Sequence, residues 1–127
     1  MKKRSMSMLS IFFAGAWLLA SGAALAAESY PDPLVAGPNI YTKQFENERV
    51  RVSEIKFKPG DSIPMHIHIY DHFVYVIEAG QLTLSYPDGK KNAVDATVGQ
   101  IMWIPKETHA ATNTGPTIFR ALVVEIK

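Results

Sequence analysis

From Tyr41 onward the spacing of turn residues, more than any single motif, limits what this chain can become: short apolar runs are cut at near-regular intervals by Gly, Pro, Asn and Asp. Turn chemistry falls at Lys58-Pro59-Gly60-Asp61, Glu78-Ala79-Gly80-Gln81, Tyr86-Pro87-Asp88-Gly89-Lys90 and Asn113-Thr114-Gly115-Pro116. The runs between them are rich in Val, Ile, Tyr, Phe and Thr, the residues that suit a pleated, half-buried surface. No apolar period of 3.6 residues appears after the leader, so long helices are excluded. The pattern predicts strands over 40–46, 49–57, 62–68, 73–79, 82–86, 91–96, 101–104, 108–113 and 117–126. Pro87-Asp88-Gly89 marks the clearest hairpin. Strands so short and so many close into an all-β sandwich or small barrel.

The chain has 127 residues, 47% of them apolar, which suffices for one domain and one core. It opens with Lys2, Lys3 and Arg4, an apolar stretch from Met8 to Ala20, and a run of small residues. That is the form of a secretory signal peptide, with Ala24 and Ala26 as the small residues of an A-x-A site and cleavage expected after Ala26. The alternative is an uncleaved anchor, because 6–27 is nearly long enough to span a bilayer. Cleavage places the mature chain in the periplasm or outside the cell. Glu28 to Asn39 carries three prolines and is expected to form an extended arm, residues 27–39, ahead of a barrel over 40–127. Beyond the leader, ten basic residues face twelve acidic ones, a net charge of −2. Neither a nucleic-acid face nor, after cleavage, a membrane anchor fits that balance. With no Cys, disulfides, thiolate chemistry, Cys-bound zinc and iron-sulfur clusters are excluded.

The four histidines fall in two segments. His66 and His68 are two apart in a strand-like run, so both imidazoles project from one face. His72 follows the bend Ile69-Tyr70-Asp71, and His109 lies 37 residues further on, after Trp103-Ile104-Pro105-Lys106. A barrel can bring the second segment across the cavity of the first. Imidazoles suit Zn, Cu, Fe, Ni and Mn in differing degree.

These residues resemble the cupins, double-stranded β-helix barrels that hold a metal in their bore. The first cupin motif, G-x5-H-x-H-x3-or-4-E-x6-G, is matched by Gly60, His66 and His68. The second, G-x5-P-x-G-x2-H-x3-N, is followed by Gly99, Pro105, His109 and Asn113. Together with the flanking strands the motifs cover about residues 41–127. The glutamate of the first motif is missing: its place falls on His72 or, with one more intervening residue, on Phe73. Read from His72, the closing Gly80 comes one residue late, which a bulge near Ala79 would absorb. In the second motif Glu107 replaces glycine and His109 arrives one residue early after Pro105, as a shortened turn would allow. The resemblance implies a divalent metal held by His66, His68, His72 and His109, with Fe or Mn favoured and Zn, Ni or Cu as alternatives. It also implies a homodimer, and Tyr30–Pro38 is the segment expected to reach a second barrel.

Four imidazoles would leave the full charge of a divalent ion uncompensated, a strong electrophile for an anionic or enolisable oxygen ligand. Asp71 and Glu107 adjoin ligand positions, but strand alternation points them away from the metal, as rim or supporting groups, and no general base is placed by the sequence. Tyr75 is expected on the outer face, and Glu46–Arg49 and Lys90–Asn92 in solvated turns. Phe57, Ile63, Val74, Val76, Leu82, Leu84, Met102, Ile104, Phe119, Leu122 and Val124 are expected in the core, and Met65 and Trp103 flank the ligand segments. Three readings stand: a metal-dependent oxidoreductase of dioxygenase type acting on a small oxygenated anion, a metal-containing module that binds a small ligand without chemistry, and a structural or partner-binding barrel.

Overall fold

The computed structural model describes residues 29–127. The leader over 1–26, and residues 27 and 28 of the arm, lie outside the described residues. Nine strands form between the turn clusters: β1 (Tyr41–Glu46), β2 (Val50–Phe57), β3 (Ser62–His68), β4 (His72–Glu78), β5 (Gly80–Ser85), β6 (Lys91–Ala96), β7 (Ile101–Ile104), β8 (Glu107–Asn113) and β9 (Phe119–Ile126). One sheet runs β1-β2-β9-β4-β7 and the other β3-β8-β5-β6, with every pairing antiparallel. Only β1-β2 and β5-β6 are hairpins between neighbours in sequence; the chain otherwise changes sheet at each connection. The product is a jelly-roll-like barrel, as the strand pattern predicts. The Pro87-Asp88-Gly89 turn sets Ser85 opposite Lys91.

That topology positions the site. The connections β3-β4 and β7-β8 lie together at one end, where the Lys106 N–H donates to Asp71 Oδ1 at 2.9 Å. His68 and His72 flank the first connection, and only Pro105 and Lys106 separate β7 from β8, the shortened turn expected there. The β4 ladder against β9 shifts register between Val76 and Glu78, slightly ahead of the expected bulge.

The core lies between the sheets, with Phe57, Ile63, Val76, Phe119, Ala121 and Val123 essentially buried and the Phe57 and Phe119 rings 6.5 Å apart. Val74 and Val76 face inward and Tyr75 outward, as alternation requires. Two expectations for β9 are corrected. Leu122 and Val124 sit on the outer face and are only half-buried, whereas Ala121, Val123 and Glu125 point inward with Phe119. A continuous apolar run gives no parity of its own, so the inward set is fixed by Phe119 packing on Phe57. Leu84, Met102 and Ile104 are half-buried and pack at the core margin. Trp103 is 60% exposed on the edge strand β7 beside the exposed Ile101.

Residues 29–39 do not extend away from the barrel. Asp32-Pro33 opens a single helical turn, α1 (Pro33–Ala36), in which the Asp32 carboxylate accepts from the Leu34 N–H at 2.9 Å and Pro33 takes the position that needs no donor. The Pro31 carbonyl accepts from the Ile67 N–H at 3.0 Å, which lays the segment against the edge of β3. Prolines remove donors but leave carbonyls, and one of these is paired here. The stretch expected to reach a second barrel is thus docked on its own.

Candidate metal centre

His66 and His68 share the inner face of β3 and are 0% and 1% exposed. His109 of β8 is the direct cross-strand partner of His66, and Glu107 that of His68. His72 opens β4 in the opposite sheet, so the four rings meet across the barrel at its β3-β4 end. The glycines that open the two motifs, Gly60 and Gly99, have φ of +84° and +81°, a left-handed turn that a side chain would strain.

Ring nitrogens of His66, His68 and His109, one from each, lie within 4.8 Å of one another, and the Nε2 atoms of His66 and His68 are 3.2 Å apart. His72 lines the same cavity with its ring stacked on His68, centroids 4.2 Å apart, but stands beside the three-nitrogen group and not within it. Behind three of the rings stands an acceptor from the residue two positions earlier. His66 Nδ1 donates to the Pro64 carbonyl at 2.9 Å, His72 Nδ1 to that of Tyr70 at 3.3 Å, and His109 Nδ1 to Glu107 Oε1 at 2.6 Å. A carbonyl only accepts, so the proton sits on Nδ1 and the Nε2 lone pair is free. Burial pushes His66 and His72 down to about 4 and His109 to about 3, with the neighbouring rings adding to the effect. All three are neutral at pH 7, as ligation requires.

His68 lacks such a partner, and its Nδ1 is the buried side-chain polar atom without a hydrogen bond among the described residues. A neutral His68 faces a conflict. With its proton on Nε2 it donates to His66 but turns a lone pair on Nδ1 toward Glu125 Oε1, 3.5 Å away. With the proton on Nδ1, two Nε2 lone pairs oppose each other across 3.2 Å. A cation between the two nitrogens resolves both. At an ion–nitrogen distance of about 2.0–2.1 Å, two ligand nitrogens stand roughly 2.9 Å apart at a right angle and about 3.3 Å at the tetrahedral angle, and the His66–His68 separation falls between. The donor set fits a divalent transition ion.

The rings line a cavity of about 70 Å³ whose other walls are apolar, including Ile55, Phe57, Val74, Leu82, Met102 and Phe119. Met65 and Trp103 do not line it. Tyr41 does, its ring 6.2 Å from His66 and 6.3 Å from His68, and burial beside Glu125 raises its phenol well above the usual range.

Asp71 clamps the turn before β8 as a rim group, whereas Glu107 does not point away as expected: two residues before His109 it shares that face of β8 and backs the His109 ring. Burial raises the Glu107 carboxyl. Asn113, the last residue of the second motif, holds strands together, donating to the carbonyls of Phe57 at 3.0 Å and Thr117 at 2.8 Å while its Oδ1 accepts from the Gly115 N–H at 3.0 Å. Sequence reasoning missed Glu125, Arg51, Asp32 and Tyr41. Glu125 is 2% exposed, and although burial opposes its charge, the facing His68 and the Arg51 guanidinium bring its carboxyl down to about 2. Strand parity was the available signal, since Glu125 is six residues from Phe119 and so on the same face.

A family model for the cupin domain matches residues 53–125. This chain belongs to the cupin family. The cupin barrel is similar to a solved cupin domain from Bordetella pertussis Tohama I, at 31% identity and a TM-score of 0.65, covering 80% of this chain and 99% of that one. It is also similar to the polyketide cyclase RemF from Streptomyces resistomycificus, at 28% identity and a TM-score of 0.53, covering 68% of this chain and 63% of that one. An RmlC-like cupin with a double-stranded β-helix fold from Methanocaldococcus jannaschii, at 22% identity and a TM-score of 0.57, covering 68% of this chain and 78% of that one, shares the fold. No curated protein matches this cupin significantly.

Proposed function

We propose that this cupin is an exported, metal-dependent oxidoreductase of dioxygenase type that acts on a small oxygen-bearing anion. The observation that supports it is the convergence of three buried imidazoles, with His72 alongside as the fourth ligand of the proposed set, on a cavity of about 70 Å³ with otherwise apolar walls. When bound, iron or manganese would supply a Lewis acid for oxygen donors and a redox couple for oxygen chemistry.

The chain's own residues set the conditions. His66, His68 and His109 present nitrogen without charge, which leaves the centre electropositive and attracts an anionic oxygen. The apolar walls exclude bulk water and strengthen that attraction. The small volume limits the part of a substrate that enters to a few heavy atoms. Among the described residues no carboxylate lines the cavity, because Glu107, Glu125 and Asp71 are each engaged behind it or at its rim. Proton abstraction by a side-chain carboxylate is therefore not part of the reading.

That same lack of a carboxylate supports a second reading, a metal-containing binding module without turnover. Oxygen uptake with the Fe(II)- or Mn(II)-loaded protein across a panel of small hydroxy and keto acids separates the two. Substrate-dependent uptake supports the oxidoreductase; a thermal shift with an unchanged ligand supports the module. The proposal retains export and a homodimer, tested by N-terminal sequencing of protein from the host's periplasm or medium and by light scattering.

A further inference from the structure

We propose that Glu125, on the strand across the barrel from β3, is the positioning residue that orients His68 for metal binding, and that Arg51 and Asp32 hold it in place. The inference rests on the metal reading above and adds a residue to it.

His66, His72 and His109 each find an acceptor two residues earlier on their own chain segment. His68 does not: among the described residues its Nδ1 makes no hydrogen bond, to its own segment or to any other. The acceptor nearest to it stands on another strand. Glu125 stands in register between Arg51 of β2 and His72 of β4, facing inward, with Oε1 3.5 Å from His68 Nδ1. A cation at Nε2 fixes the His68 proton on Nδ1, and this contact then becomes a donor facing a carboxylate. Closing it to a hydrogen bond takes a movement of a few tenths of an ångström.

The carboxylate is held from behind. Arg51 Nε contacts Oε2 and Nη2 donates to Oε1 at 2.9 Å, and the same Nη2 reaches Asp32 Oδ2 at 2.7 Å. The guanidinium is thereby shared between two acids, so the assembly keeps a single negative charge behind His68. This cupin lacks the motif glutamate, and a carboxylate one layer further out takes over part of its electrostatic role. Because Asp32 also caps α1, the docking of residues 29–39 is tied to the metal site.

The test measures Co²⁺ affinity of the purified protein by competition titration, with the Co²⁺ visible spectrum as a second readout. Glu125→Gln is expected to weaken binding by about 10- to 100-fold. In a His68→Ala background the same change is expected to have no further effect, whereas in His109→Ala it adds its full loss. Equal losses in both backgrounds, or affinity within twofold of wild type for Glu125→Gln, overturn the role of Glu125. Should Glu125→Gln fail to fold, nitrogen-15 NMR of the wild-type protein loaded with Zn²⁺ decides. A slowly exchanging His68 Nδ1–H supports the proposal; a His68 bound through Nδ1, or an Nδ1–H exchanging freely with water, overturns it. Wild-type protein that binds neither Co²⁺ nor Zn²⁺ overturns the metal reading, and this inference with it.

Discussion

The Nε2 atoms of His66 and His68 face each other 3.2 Å apart from the same face of one strand, with no way for two neutral rings to satisfy both that contact and Glu125. This places a cost in the folded state that a bound cation would remove. Zn²⁺ at a hundredfold excess over its Kd is expected to raise stability by about 2.7 kcal/mol. In His66→Ala or His68→Ala the gain is expected to vanish, as read by denaturant titration with and without the ion. An equal gain in these variants would mean that the ion binds elsewhere.

His72 is expected to behave differently from the other three. Its ring stacks on His68 and stands beside the three-nitrogen group. His72→Ala should weaken Co²⁺ binding by roughly tenfold, less than removal of any of the other ligands, and alter the Co²⁺ spectrum. An unchanged spectrum would remove His72 from the ligand set.

Acid should destabilise the metal-free protein well above the carboxylate range. In the folded chain His66 and His72 are held near 4 and His109 near 3, against 6.5 when exposed. Between those values the unfolded chain binds more protons, so stability falls as pH drops from about 7 to about 4. Glu125 acts lower: its carboxyl, brought to about 2, contributes stability that is lost only as pH falls from about 4.5 toward 2. Urea unfolding at pH 7, 6, 5 and 4 measures the first window, and a flat profile there would contradict the buried, neutral rings.

Asn113 tests how far the motif residues divide between chemistry and structure. Its side chain joins β8 to the end of β2 and to the turn before β9 through three hydrogen bonds in a buried position. Asn113→Ala is expected to cost about 2–4 kcal/mol, because carbonyls of Phe57 and Thr117 lose their donor. Metal stoichiometry should stay at the wild-type value. Calorimetry and elemental analysis of one preparation check both statements.

All nine strands were legible because each is bounded by its own turn chemistry, and the histidine pair was legible because strand alternation is local. The inner face of β9 was not. Leu122, Val123 and Val124 are all apolar, so only the contact of Phe119 with Phe57 sets which of them faces inward. Once that parity is set, Glu125 is buried, an outcome that a charged residue near a strand end does not suggest. Its burial depends on Arg51, 74 residues away, and on Asp32 in a segment read as an extended arm. Asp-Pro was a helix-start signal there, but a single turn has too little apolar period to stand out.

The central claim is that these histidines hold a transition metal in the protein as the cell makes it. The measurement is elemental analysis of untagged protein recovered from its native compartment, beside His68→Ala prepared identically. One transition-metal ion per chain in the parent and none in the variant is the predicted result, with iron or manganese supporting the oxidoreductase. A parent without metal, even after soaking with each candidate ion, would contradict the account.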